Sequence, residues 1–266
     1  MATLSDVSTP RRVAGGLQLE VGAGWRQGRG AFGGLVVGSL VRAIEQHVAD
    51  PARRVRSVTA ELPGPVEQGT ADIAVDTLRA GKNVSTARAA LSQHGEIRAH
   101  AVAILGAPRA GGAPLAWNDL ARPEAAPWST IAAAPIGGSG PWPEFAQHFE
   151  YRVIEGLPTA GGTGRALGWI RPRAPGPLRD AAYLAAMIDA WWPCAMIRLP
   201  GMRPMATIAF TLDVVGGLEG VAADAPLLYR ASSPVCADGY ALETRELWTD
   251  DGHLVAINHQ TFAIIQ

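Results

Sequence analysis

The sequence predicts an α+β protein made of two tandem units, each with one helix packed on an antiparallel sheet. Two observations predict this class: each half contains a helix followed by four strand-like segments, and part of one half aligns with part of the other. Composition agrees, because 48% hydrophobic and 18% charged residues in a chain of 266 provide enough apolar side chain for a buried core.

The first unit is predicted over residues 1–106. Apolar residues recur at helical spacing over 35–48, directly after a glycine-rich turn. Strand-like segments precede and follow this helix, and turn dipeptides such as Pro63-Gly64 and His94-Gly95 separate the later ones. These segments lie at 17–22, 55–62, 70–78, 83–93 and 96–105.

The second unit, residues 148–266, repeats that order. A helix is predicted over 178–193, where Pro193 stops it. Strands are predicted at 148–156, 205–215, 225–235, 239–250 and 253–265. Residues 107–147 are dense in Pro, Gly and Ala without sustained periodicity, which predicts a connector between the two units.

Internal similarity supports a duplication. STARAALSQHGEIRAHAVAI aligns without a gap with the segment LETRELWTDDGHLVAINHQTFAI. The alignment places Arg88 on Arg245 and Gly95 on Gly252. A helix laid across an antiparallel sheet, occurring twice, is a double hotdog fold.

Charge and motif content narrow the class of function. The net charge of −1 indicates neither a nucleic acid nor an anionic membrane as partner. There is no apolar run of about 18 residues, no signal-peptide pattern, and no metal or redox spacing of Cys194 and Cys236, so we expect a cytoplasmic protein without membrane insertion. The histidines form no metal-binding pair and there is no GxSxG elbow, so neither a metal site nor an α/β-hydrolase is expected.

Several segments resemble the acyl-CoA thioesterase II family, of the thioesterase-like superfamily. In the first half these are GAFGGLVVGSLVRAIEQHV, VRSVTAELPGPV and VDTLRAGKNVSTARAALSQHGEI, and in the second IDAWWP, MATIAFTL and TDDGHLVAINHQ. Their order covers nearly the whole chain. The resemblance implies hydrolysis of acyl-CoA, no cofactor beyond the coenzyme A of the substrate, and a homodimer or higher homo-oligomer.

The resemblance also implies a catalytic set. In that family an Asp, a Thr and a Gln hold the attacking water, and they match Asp189, Thr207 and Gln260. Two departures concern the substrate pocket. Leu35 follows the FGG turn where the family often has Gln, and the segment from Asp189 to Thr207 is shorter than usual.

The residues themselves support two members of this set. Asp189 is the only charged residue between Ala181 and Ile197 and lies near a helix C-terminus, where the macrodipole disfavours a carboxylate. This favours a general base over an aspartate that simply reaches solvent. Gln260 aligns with Ala103, so one of two duplicated strands has gained an amide. A water-holding role is favoured over an edge-exposed glutamine.

The other candidates are ambiguous without the resemblance. Strict alternation along the strand places Thr207 on one face and the apolar Phe210 on the other, which favours a structural threonine. Gly33 and Gly34 permit a tight turn, or their N–H groups contact the thioester oxyanion. The remaining candidates, expected either to line an acyl tunnel or to belong to the core, are Trp191 and Trp192.

Three functions remain in competition at this point. The first is acyl-CoA hydrolysis with Asp189 as base, and the second is a non-catalytic acyl-CoA or lipid-binding protein, which the Leu35 departure favours. The third is an enoyl-CoA hydratase-type double hotdog. The sequence lacks the Asp-x4-His arrangement that such hydratases share, which makes the third the weakest.

Overall fold

A computed structural model of the chain describes residues 2–109, 115–137 and 140–265. Of the predicted connector, residues 110–114 and 138–139 lie outside the described residues. The helices are α1 (Leu4–Val7), α2 (Gly33–Val48), α3 (Ala181–Asp189) and α4 (Ala195–Arg198), with single 3-10 turns at Trp128–Thr130 and Glu144–His148. Within the described residues, none of these helices is long and apolar enough to cross a membrane.

Within these described ranges, fourteen strands accompany the helices. Those of the first half are β1 (Arg11–Val13), β2 (Gly16–Val21), β3 (Arg26–Gln27), β4 (Gly30–Ala31), β5 (Arg54–Glu61), β6 (Gly69–Ala80), β7 (Val84–Gln93) and β8 (Glu96–Gly106). Those of the second half are β9 (Phe149–Glu155), β10 (Arg165–Pro172), β11 (Met205–Val214), β12 (Leu227–Ala237), β13 (Tyr240–Trp248) and β14 (Leu254–Ile264). β1, β3, β4 and β10 were not predicted from the sequence.

Twelve of these strands form one antiparallel sheet in the order β1-β2-β6-β7-β8-β5-β11-β14-β13-β12-β10-β9. The two halves meet where β5 pairs with β11, with Val58 opposite Leu212. β3 and β4 form a separate two-stranded sheet. The α+β double hotdog prediction is confirmed, and the two sheets are joined edge to edge through backbone hydrogen bonds.

The long helices α2 and α3 lie side by side on one face of this sheet. A Cβ atom added to Gly34 would lie 2.8 Å from the Cα of Ala186, and one added to Gly38 would lie 3.0 Å from the carbonyl oxygen of Ala182. Only small residues allow helices to approach this closely. The contact brings the N-terminus of α2 against the C-terminus of α3, where Asp189 ends the helix.

Part of the connector covers the other face of the second half. Its residues Trp128 and Ile131 pack against a cluster that includes Trp169 and Trp248. The indole nitrogen of Trp169 donates to the carbonyl of Ala126 at 2.9 Å. This part of the connector is therefore a packed element of the C-terminal sheet rather than a loose tether.

The internal alignment is wrong by one residue before the hairpin turn. Leu91 pairs with Ala99, whereas the corresponding Leu247 pairs with Ala256, so the second hairpin is one residue longer. Gly95 and Gly252 remain matched, but Arg245 corresponds to Ala89 rather than to Arg88. Arg88 is exposed and pairs with Asp76 on the outer face, while Arg245 is 1% exposed.

Candidate active site

Asp189 is buried at the junction of the two halves. It ends α3, and only 7% of it is exposed. Its Oδ1 accepts a hydrogen bond of 2.9 Å from Nε2 of Gln260. Its Oδ2 faces α2, because a Cβ atom on Gly33 would lie 2.9 Å from that oxygen. The alternative that this carboxylate simply reaches solvent is therefore wrong.

Gln260 connects the carboxylate to Thr207. Thr207 donates its hydroxyl hydrogen to Oε1 of Gln260 over 3.1 Å. The Gln260 amide also donates to Oδ1 of Asn258 at 2.9 Å, so both amide protons have partners in the protein. Since Gln260 is 3% exposed, it is not an edge glutamine. The three residues matched by resemblance thus form one hydrogen-bonded chain.

The strand-alternation argument about Thr207 is wrong, and a β-bulge is the reason. Thr207 pairs with Phe262, but Ala209 already pairs with Thr261, so Ile208 is an extra residue in β11. A bulge of this kind shifts all following side chains by one position. Thr207 therefore shares the inner face with Phe210, which pairs with Gln260, and it points at the site.

The sequence analysis did not identify three polar residues beside this chain. Arg245 donates from Nε to Oε1 of Glu243 at 2.9 Å, and its Nη1 lies 3.6 Å from Oδ1 of Asp189. Asn258 donates to the carbonyl of Thr211 at 2.7 Å. Alternation along β13 and β14 places all three on the face of Gln260, a signal that the misaligned repeat concealed.

Electrostatics leave Asp189 a stronger base than an ordinary aspartate. Burial raises the pKa of its carboxyl, and the Arg245 charge, the Gln260 hydrogen bond and the backbone amide of Gly34 oppose this only in part. Phe32, the N-cap of α2, gives no side-chain hydrogen bond, so Asp189 supplies the negative charge that this helix N-terminus favours. Asp189 thus ends one helix and serves the start of another.

The predicted glycine contact with an oxyanion stays a prediction. The amide of Gly34 faces the Asp189 carboxylate, which gives it a partner inside the protein. What the structure explains is the need for glycine, since a Cβ atom at Gly34 would lie 2.6 Å from the Phe32 ring and 3.0 Å from the Cβ of Asp189. Leu35, which follows the turn where the family often has Gln, is fully buried.

The two tryptophans lie in an aromatic cluster behind Asp189. Trp191 stacks on Tyr229 with centroids 4.8 Å apart and is 1% exposed. Trp192 donates its indole N–H to the carbonyl of Gly156 at 2.8 Å. Both are core residues of the second half, and their contribution to an acyl tunnel stays a prediction.

The edge-joined sheets, the paired helices and the buried Asp–Gln–Thr chain define a double hotdog protein. Family comparison makes the class specific. Residues 21–106 match the acyl-CoA thioesterase N-terminal domain, and residues 119–264 match the acyl-CoA thioesterase C-terminal domain. The chain belongs to the acyl-CoA thioesterase family.

Solved structures share the fold over the whole chain. A hot dog fold protein of unknown function from Alicyclobacillus acidocaldarius is 21% identical with a TM-score of 0.88, covering 100% of this chain and 99% of its own. The acyl-CoA thioesterase II TesB2 from Mycobacterium marinum is 22% identical with a TM-score of 0.76, covering 99% and 98%. The tesB protein of Mycobacterium avium subs paratuberculosis has 19% identity and a TM-score of 0.79, covering 99% and 98%. No curated protein matches the sequence.

Proposed function

We propose that this protein hydrolyses acyl-CoA thioesters to the free acid and coenzyme A. The observation that carries the proposal is the buried chain in which Thr207 donates to Gln260 and Gln260 donates to Asp189. A buried carboxylate at the end of an apolar helix weakens the fold unless it is paired, and here its partners are the amide groups of Gln260 and Gly34. Gln260 in turn accepts the hydroxyl of Thr207, a group suited to ordering a water.

In the proposed reaction, Asp189 takes one proton from a water molecule while the water oxygen attacks the thioester carbonyl. The tetrahedral intermediate then collapses, the C–S bond breaks, and the coenzyme A sulfur leaves with the proton returned by Asp189. Gln260 fixes Oδ1, so Oδ2, on the side of Gly33, is the oxygen that accepts the proton. The Thr207 hydroxyl, which is partly exposed, positions the water.

The raised pKa of Asp189 suits this role, because a base works best when its pKa approaches the working pH. The base acts only when ionised. Activity is therefore expected to fall on the acid side as the carboxyl becomes protonated, at a pH above the normal range for aspartate.

The test is thiol release from short, medium, long and aromatic acyl-CoAs, with the wild type compared with Asp189→Asn. We expect the variant to lose about 100- to 10,000-fold in kcat, the usual contribution of a general base. Asp180→Asn is the matched control. Asp180 caps the other end of α3 by accepting from the Tyr183 amide, and Asn preserves a helix cap while losing the ion pair with buried Arg42, so stability should fall but activity per folded molecule should persist.

Equal turnover by Asp189→Asn and the wild type would contradict the assignment of the base. Binding of acyl-CoA without thiol release by the wild type, for every acyl group, would instead identify a non-catalytic binding protein. We further propose that the enzyme is a cytoplasmic homodimer or larger homo-oligomer, as the family resemblance implies. Sedimentation of the purified chain measures that assembly.

A further inference from the structure

Three buried ionisable groups lie together beneath the end of α3. The side chains of Glu243, Arg245 and Asp189 are 0%, 1% and 6% exposed. Two carboxyl groups therefore share a single guanidinium in a region screened from water. Charges placed in this way affect one another strongly, because little solvent screens them.

The guanidinium is not divided equally between the two carboxyls. Its Nε donates directly to Glu243 at 2.9 Å, whereas the nearest approach to Asp189 is the 3.6 Å between Nη1 and Oδ1. The other carboxylate oxygen of Glu243 accepts the backbone N–H of Cys194 at 2.7 Å. Glu243 is therefore anchored on both sides and holds Arg245 away from a full salt bridge with Asp189.

Arg245 also holds the backbone that carries Asp189. Its Nη1 donates to the carbonyl of Ile188, in the last turn of α3, at 2.9 Å. The last carbonyls of a helix lack partners within the helix, and a cation there complements the helix dipole. Arg245 thus fixes the residue that precedes the proposed base as well as contributing charge.

We propose that the Glu243–Arg245 pair is a positioning element that tunes Asp189 as a base. The positive charge of Arg245 lowers the pKa of Asp189, so the buried carboxylate can ionise. Glu243 draws Arg245 toward itself and so limits this lowering, which leaves Asp189 a stronger base. This inference rests on the proposed function. Neither residue is a catalytic residue, because both act through Asp189.

The other ionisable groups near Asp189 and Glu243 do not carry charge near neutral pH. Burial raises the pKa values of Tyr151, Tyr229 and Cys194 above their usual ranges, so these groups remain protonated. The neighbours from β14, β11 and α2 are the amide of Gln260, the hydroxyl of Thr207 and the backbone of Gly34. The Glu243–Arg245 pair is thus the source of charge that can be altered by substitution.

The experiment measures kcat/KM against pH for the wild type, Arg245→Met, Arg245→Lys and Glu243→Gln. In Arg245→Met the acid limb should move to higher pH by about one unit or more, because the neighbouring cation no longer favours the ionised carboxylate. Arg245→Lys restores a cation and should return the limb toward the wild type. Glu243→Gln should move it to lower pH, since Asp189 becomes the nearest anion to Arg245.

Unmoved acid limbs in folded Arg245→Met and Glu243→Gln, with folding judged by circular dichroism, would overturn the proposal and leave Arg245 a structural residue. An upward shift in Glu243→Gln would overturn the role of Glu243. If Arg245→Met does not fold, Glu243→Gln still decides, because its acid limb should move to lower pH while that of Arg245→Lys stays near the wild type. Asp189→Asn is measured over the same pH range. Wild-type turnover in that variant contradicts Asp189 as the base, whereas the absence of thiol release by the wild type contradicts the proposed function itself, whatever the limbs of the other variants do.

Discussion

The inner faces of the two sheets differ at four matched positions. In both halves these positions form two directly opposed cross-strand pairs beneath the long helix. In the first half they are Ala87 with Ala103 and Ala89 with Ala101, and in the second Glu243 with Gln260 and Arg245 with Asn258. The four alanines are completely buried, and their four polar counterparts are at most 3% exposed. The same scaffold therefore has one apolar floor and one polar floor.

This difference shows how a duplicated fold separates packing from chemistry. An apolar floor stabilises the fold without any requirement for partners, whereas each buried polar group must be paired or it costs about 1–3 kcal/mol. In the second half every member is paired: Gln260 with Asp189 and Asn258, and Arg245 with Glu243. The polar floor is tolerated because the carboxylate of Asp189 completes it.

The N-termini of the two long helices, α2 and α3, also differ in how they are capped. Asp180 at the N-cap of α3 caps its own helix by accepting the Tyr183 amide at 2.9 Å, and it also pairs with Arg42 of α2. The N-cap of α2 is Phe32, without a side-chain hydrogen bond, and a carboxylate from the other half lies beside it. One start is used for stability and the other holds the proposed base.

Exchanging the residue types of the matched positions Gln260 and Ala103 should give the largest effects on activity and stability. Gln260→Ala gives the second floor an alanine, and we expect kcat/KM to fall about 100-fold because the carboxylate is no longer held in place. The reverse change, Ala103→Gln, buries an amide in a packed apolar floor. It should lower the free energy of unfolding by about 2–4 kcal/mol through overpacking and an unpaired amide, with activity per folded molecule retained.

Urea unfolding and thiol release, measured on both variants, separate the two effects. Gln260→Ala also removes the partner of the Thr207 hydroxyl, so some loss of stability is expected there as well. If Ala103→Gln impaired turnover as much as Gln260→Ala does, the two floors would not have separate roles.

Gly34 and Gly38, the two glycines in the contact between α2 and α3, should give smaller effects that again separate activity from stability. Gly34→Ala would place a methyl group 2.8 Å from the Ala186 backbone and 3.0 Å from Asp189. We expect a loss of about 1–3 kcal/mol from overpacking, together with about 10-fold lower kcat from displacement of the base. Gly38→Ala, which meets the carbonyl of Ala182 at 3.0 Å, should cost stability while leaving turnover nearly unchanged.

Thermal unfolding and kcat of both alanine variants make this check. Equal loss of turnover in Gly38→Ala would mean that helix spacing in general, rather than the contact of α2 with Asp189, controls activity.

Most of the fold was predictable, because helix periodicity and the repeated element order are properties of long segments. The inward positions of Asp189 and Gln260 were also predictable, since Asp189 is the one charged residue of an apolar helix and Gln260 replaces Ala103 of the first half. Strand alternation alone failed for Thr207, because a bulge at Ile208 leaves no mark in the sequence. Arg245 was missed because one additional residue in a hairpin matched it to the exposed Arg88.

The first half has a carboxyl with a raised pKa too, and it gives the last and smallest prediction. Burial and the charge of Asp180 raise the pKa of Glu45 on α2 from 4.5 to about 7, and Arg42 opposes them. The folded state therefore holds a proton that the unfolded chain has lost, so stability from this group falls as pH rises from 4.5 to about 7.

Glu45→Gln removes this ionisation. Relative to the wild type it should gain stability on the order of 1 kcal/mol at pH 8 compared with pH 5. Urea unfolding at both pH values measures the gain. The acid limb of kcat/KM should stay in place, since the charge that acts on Glu45 is Asp180, at the opposite end of α3 from Asp189, and a shift of that limb would show that Glu45 is also coupled to the proposed base.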